Sequence, residues 1–102
     1  MSGAADGFDW DDGNRDKCQK HGMSIEQIEY VVRHAETLIV HDPKNSTTES
    51  RFIAIGRTQE GRFAFVAFTP RERGGLNLLR PISARYMHRR EVAKYEKEDS
   101  SL

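Results

Sequence analysis

The chain has 102 residues, 36% of them apolar, which suffices for one compact domain with one core. Sixteen Lys and Arg balance sixteen Asp and Glu, no run approaches the ~20 apolar residues of a membrane span, and the lone Cys18 excludes an internal disulfide. A cytoplasmic protein with no secretory signal and no membrane association is expected.

Residues 1–7 are small and polar and are expected to form a disordered tail before a single domain over residues 8–96. Phe8 and Trp10 flank Asp9, which predicts a brief strand. Asp11-Asp12-Gly13-Asn14 is turn and cap chemistry. A short helix is predicted over Arg15–His21, stopped at Gly22, the residue type that best takes the left-handed conformation after a helix end. Ser24-Ile-Glu-Gln27 has the spacing of a capping box. Ile25, Ile28, Val32 and Ala35 then fall on one helical face as core.

From Thr37 the period changes. Leu38-Ile39-Val40 reads as a short strand ended by Asp42-Pro43, and residues 44–50, with no apolar side chain, as a loop. Over Arg51–Arg57, Phe52, Ala54 and Gly56 alternate with Arg51, Ile53, Ile55 and Arg57. Thr58–Gly61 predicts a hairpin turn. Phe63–Phe68 is nearly continuously apolar, which predicts a central strand covered on both faces. Pro70–Gly75 reads as a charged loop, and Gly74-Gly75 as its flexible tip. Leu76–Ile82 is a strand whose Pro81 lacks a ladder N–H, so this strand should be an edge or already ending. A helix should follow from Arg85, capped by Ser83, with Met87, Val92 and Tyr95 toward the sheet. Residues 97–102 are expected to fray. The predicted class is α+β: an antiparallel sheet of four to five strands, two N-terminal helices and a C-terminal helix.

The zero net charge hides a split. Residues 1–50 carry ten acids against five bases, a net −5; residues 51–94 carry ten bases, nine of them Arg, against three acids, a net +7; residues 95–102 carry −2. A basic half points to an anionic partner, most commonly nucleic acid. The alternative is that the acidic half folds back to neutralise it. Basic residues concentrate in Arg80-Pro-Ile-Ser-Ala-Arg-Tyr-Met-His-Arg-Arg-Glu91. Arginine suits phosphate because its planar fork gives two parallel hydrogen bonds and keeps its charge; arginines on a terminal helix also form ordinary solvated faces.

Several motifs, in order, resemble the BrnT family: Phe8-Asp-Trp-Asp-Asp-Gly-Asn-Arg-Asp-Lys-Cys-Gln-Lys-His-Gly22, Glu49-Ser-Arg51, Ala54-Ile-Gly-Arg57, Gly61-Arg62, Phe65-Val-Ala-Phe-Thr69, the Arg80–Glu91 segment and Tyr95-Glu96. The resemblance covers roughly residues 8 to 96. It implies a toxin of a bacterial type II toxin–antitoxin pair with a RelE-like fold, which cuts RNA without a metal or cofactor and arrests growth. The implied partner is a BrnA-like ribbon-helix-helix antitoxin, through which alone the toxin reaches operator DNA. One departure stands out: related sequences often carry His-Ser in the loop before the second long strand, where this chain has Asn45-Ser46. An inactive copy kept as a nucleic-acid-binding or antitoxin-binding regulatory module is the alternative function.

RNA is cut without metal when its 2′-hydroxyl attacks the adjacent phosphorus. That needs proton transfer at both oxygens and cations on the phosphoryl oxygens. Arg57, Arg80 and Arg85 are the candidate cations, expected to converge from strand ends. His88 is placed near Arg85, with Glu91 either orienting it or pairing with an arginine. Tyr95 and Tyr86 are candidates for stacking or for donation to phosphate. His21 is a second titratable candidate, equally suited to a helix C-terminus. Trp10 is a stacking platform or core, and Lys20, Arg62 and Arg71 complete the expected RNA-binding surface. RelE-type enzymes rely on Arg, Lys and Tyr without paired histidines. Cys18-x-x-His21 supplies only two ligands, so no metal site is expected.

Overall fold

The structure, a computed structural model, describes residues 5–46 and 48–100. It comprises β1 (Gly7–Phe8), α1 (Asp12–Gln19), α2 (Ile25–Arg33), β2 (Leu38–His41), a 3-10 turn at Pro43–Asn45, β3 (Phe52–Arg57), β4 (Phe63–Arg73), β5 (Leu76–Tyr86) and α3 (Arg89–Ser100). One five-stranded sheet has the order β1-β5-β4-β3-β2. The class is α+β as expected, but the sheet is mixed: β1 runs parallel to β5, and the other pairs are antiparallel. A parallel neighbour requires a long crossover, and everything between β1 and β5 supplies it.

Local chemistry sets both N-terminal helices. Asp11 caps α1 through a reciprocal capping box with Asn14, so the helix starts three residues before the predicted Arg15. Gly22 has φ +94° after its end. Ser24 and Gln27 form the expected capping box on α2. Ile28 and Val31 are fully buried and Val32 packs beside them. Ala35, expected in this core, is exposed, because His34 leaves the helix in an extended conformation (φ −65°, ψ 136°).

The core lies on one side of the sheet. Cys18, Met23, Ile28 and Val31 from the helices meet Ala54, Ala64, Val66, Phe68 and Ala84 from the strands. Small residues let the helices close on the sheet; a Cβ on Gly56 would collide with the Thr37 hydroxyl, which itself donates to the Val31 carbonyl. β4 is therefore not covered on both faces as predicted. Ala64, Val66 and Phe68 are buried, whereas Phe63, Phe65 and Ala67 on the other face are half-buried.

The closing half departs furthest from the sequence reading. Pro70–Gly75 is not a loop: β4 and β5 each run 11 residues. They meet at Gly74-Gly75, whose φ values of +56° and +82° suit a tight hairpin turn that matches strand twist. Pro81 does not end β5, but it lies beyond the stretch that β1 covers: β1 pairs only with Leu78 and Leu79, so the outer side of β5 is locally an edge at Pro81. β5 lies between β1 and β4, and a bulge (Ala67 opposite Ser83, Phe68 opposite Pro81) leaves Ile82 unpaired; a bulge is one of the few places a sheet accepts proline. Ser83 caps no helix, since pairing of Arg85 with Phe65 and Tyr86 with Ala64 carries the strand onward. α3 starts at Arg89, and the Glu91 carboxylate accepts the His88 N–H at 2.8 Å in its first turn. The helix continues to Ser100, beyond the expected point of fraying; residues 101–102 lie outside the described residues. Residues 1–4 also lie outside them, whereas Asp6, assigned to the tail, exchanges hydrogen bonds with Asn77.

Candidate functional site

The face of the sheet away from α1 and α2, met at one end by Glu91 and Tyr95 of α3, carries the candidate site. Alternation and register place Ile53, Ala67 and Ser83 in one row, Ile55, Phe65 and Arg85 in the next, and Arg57 with Phe63 in the third. A groove of about 450 Å³ opens over the first two rows, lined by Arg51, Phe65, Ser83 and Arg85, with Asp42 and Asn45 on one rim and His21 on the other. The Ser46 hydroxyl braces the rim beside Arg51: it donates to the Asp42 carbonyl at 2.6 Å and accepts the Arg51 N–H at 2.8 Å.

Arg85 lies over the Phe65 ring, 4.7 Å from its centroid. Its two terminal nitrogens donate to both Glu91 oxygens at 2.8 and 2.9 Å. Arg57 lies in the same manner over Phe63, at 4.6 Å, and Tyr95 meets Phe63 edge-on at 5.4 Å. Two cations on two rings thus share one face, an arrangement that offers stacking for bases and charge for phosphates.

The expected convergence of three arginines is not what the structure shows. Arg80 sits five residues before Arg85 on an extended strand, about 16 Å along it. Its Nη2 donates to Asp11 at 2.8 Å, and its Nη1 is 3.6 Å from Asp9, which also receives the Arg73 Nε at 2.8 Å. Here the acidic half does fold back onto basic strands. The Asp11 carboxyl is held below its usual range by the Asn14 N–H first and then by Arg80.

The other candidates separate likewise. Glu91 pairs with Arg85 and contacts His88 only through its backbone N–H, so it does not orient the exposed His88 ring. Tyr86, adjacent to Arg85, faces the helices; its hydroxyl donates to Gln27 and Arg62 stacks on its ring at 3.6 Å. Trp10 packs against the core and donates to Glu29 at 2.8 Å. Arg71 pairs with Glu49 at 3.3 Å on the far stretch of β4, and Lys20 is exposed. Cys18 is buried, its thiol pushed up to about 11 by desolvation, while His21 lines the groove. Among the described residues no three His, Cys, Asp or Glu side chains gather, and no helix is long and apolar enough to cross a membrane. Arg51, Phe65 and Ser83 were not among the sequence candidates. The signal for Arg51 was present in its alternation with Ile53, Ile55 and Arg57.

The Arg85–Glu91 clamp makes acid sensitivity predictable. Glu91 falls from the ordinary 4.5 to about 2, through Arg85 chiefly and then the His88 N–H. Because folding lowers this value, the clamp's stabilisation is complete above about pH 4.5 and fades as pH falls toward 2. Glu91→Gln should lower the urea midpoint at pH 7 and converge on the unsubstituted protein near pH 2. A gap that stays constant over that range would contradict the assignment.

A family model described as the ribonuclease toxin BrnT of type II toxin–antitoxin systems matches residues 10–91. No curated protein matches the chain.

Proposed function

The chain belongs to the BrnT family of ribonuclease toxins of type II toxin–antitoxin systems, and from that membership we propose that it is a metal-independent endoribonuclease whose RNA lies across the open sheet face. The observation that carries this reading is the pair of cation-on-ring contacts, Arg85 over Phe65 and Arg57 over Phe63, on the face where His21 and Arg51 line the groove. Single-stranded RNA needs this alternation of charge and ring.

In the proposed reaction the 2′-hydroxyl attacks phosphorus. The O2′–P bond forms and the P–O5′ bond breaks. The 2′-proton passes to a base, for which His21 is the candidate in the groove, and O5′ takes a proton from solvent water on leaving. Arg51 and Arg85 neutralise the phosphoryl oxygens as charge develops. Glu91 occupies the Arg85 fork, so the phosphate must replace a carboxylate there. That same contact favours the alternative of a non-cleaving binding module. Arg80, held by Asp9 and Asp11, is assigned to structure in this scheme.

Type II membership also gives the protein an antitoxin partner. The proposed partner is a BrnA-like ribbon-helix-helix protein that lays an acidic and apolar segment over the open face and alone contacts operator DNA. The test is RNA cleavage by antitoxin-free protein in excess EDTA. Cutting should persist and leave 2′,3′-cyclic phosphate or 3′-phosphate ends with 5′-hydroxyls. Loss on chelation with rescue by Mg²⁺ would refute the scheme, and tight RNA binding without cutting would support the inactive module. Added antitoxin should release the RNA; a stable ternary complex would count against a shared face.

A further inference from the structure

A second groove, of about 570 Å³, opens where α2 ends, β2 begins and the β3–β4 hairpin turns; Tyr30, His34, Glu36, Arg57, Phe63 and Tyr95 line it. Its walls are two aromatic pairs from distant parts of the chain: Tyr30 with His34 at 5.2 Å, and Phe63 with Tyr95 at 5.4 Å. Arg71, Arg73, Arg80 and Arg85 on strands β4 and β5 each have a carboxylate partner. Arg57 pairs with no carboxylate among the described residues and lies over a ring face, so its charge is left for an outside anion. The His34 ring is also set. Its Nδ1 lies 3.2 Å from the Glu36 N–H, and a backbone N–H only donates, so Nδ1 accepts and the ring hydrogen sits on Nε2.

We infer that this groove is a nucleotide subsite of the RNA track, one step from the phosphate at Arg85. Arg57 takes the neighbouring phosphate, a base enters between the two ring pairs, and the His34 Nε2–H donates to an acceptor on the base edge. Arg57 on β3 and Arg85 on β5 flank β4, and the rings they lie over, Phe63 and Phe65, are two residues apart on it, about 7 Å along the strand, a step that single-stranded RNA can follow. This rests on the ribonuclease reading and adds to it the residues that choose the base. Tyr30 and His34 come from α2 and its C-cap, on the helix side of the fold, and reach RNA only because the groove sits at the end of the sheet.

The test uses short 2′-O-methyl oligonucleotides, which bind without being cut, in four series varying the base at one position, alongside mapping of cut sites in natural RNA. His34 and Tyr95 are not buried, so substitutions there should leave the protein folded. Tyr95→Ala should weaken binding roughly 5- to 100-fold, the range for loss of one base stack. His34→Ala should flatten discrimination among the four series and relax the cut-site pattern, and His34→Gln, which keeps a donor, should restore part of both. Unchanged affinity, discrimination and cut sites in these variants would overturn the inference and leave the ribonuclease reading standing. Base-selective binding by a protein that cuts nothing would do the reverse. Loss of antitoxin affinity alone on His34→Ala would assign the groove to the antitoxin and also overturn it.

Discussion

Arg85→Ala is expected to slow RNA cleavage 10²- to 10³-fold under single-turnover conditions while the protein stays folded. Removal of one preorganised donor to transition-state charge costs ~2.7–4 kcal/mol, and Arg85 is the arginine whose fork is already shaped by a bidentate carboxylate. Its side chain is 40% exposed, and Glu91 keeps the His88 N–H, so the loss falls on catalysis more than on folding. Arg80→Ala should behave in the opposite way. Its side chain is 19% exposed and holds Asp9 and Asp11 at the start of α1. Removing it should lower the melting temperature and leave the cleavage rate near that of the unsubstituted protein. Arg89→Ala, at an exposed position, should be mild. Wild-type cutting by Arg85→Ala would show that the phosphoryl group is held elsewhere. Abolished cutting by a fully folded Arg80→Ala would move the site toward the β1 side of the sheet.

Asn14→Ala should be the most destabilising polar substitution, by about 2–4 kcal/mol, from a lost cap partner and from one part-buried and one buried carbonyl that lose its amide. Asn14 is 6% exposed. Its side-chain oxygen accepts the Asp11 N–H at 2.7 Å, and its amide donates to the Asp9 carbonyl at 2.9 Å and the Pro81 carbonyl at 3.0 Å. One side chain thus closes the helix start, fixes the turn after β1 and ties α1 to β5 at the bulge. In a chain of this size the loss should lower the melting temperature by more than ~8 °C. Asn14→Asp, which keeps the acceptor and loses the donor, should recover only part of it. A melting temperature unchanged in Asn14→Ala would mean that water satisfies those carbonyls and that the seam does not depend on the amide.

Much of the fold was legible because its signals are local. The Ser24–Gln27 capping box, the alternation of Phe52, Ala54 and Gly56, and the Thr58–Gly61 turn each depend on residues a few positions apart, and each is found as expected. Other local signals misled, two of them in the closing half. Charge and proline in Pro70–Arg73 read as loop, yet pairing with Leu76–Leu79 across the Gly74-Gly75 turn makes them strand. Ser83 followed by a basic run read as a helix start, yet β4 offers partners as far as Tyr86 and so delays the helix to Arg89.

The candidate site divides along the same line. The sequence by itself determined the family, through ordered motifs that resemble one group of ribonuclease toxins and whose family model matches residues 10–91. It also set which strand residues share a face, since a period of two is a property of the backbone. Only the tertiary structure decided which arginines lie together and which are held by carboxylates. Arg80 and Arg85 look equivalent in the chain, but one meets Asp9 and Asp11 from the N-terminal segment and the other meets Phe65 and Glu91. An arginine's charge is intrinsic, whereas its availability depends on which carboxylate the fold brings within about 3 Å, and that partner can lie 69 or 6 residues away.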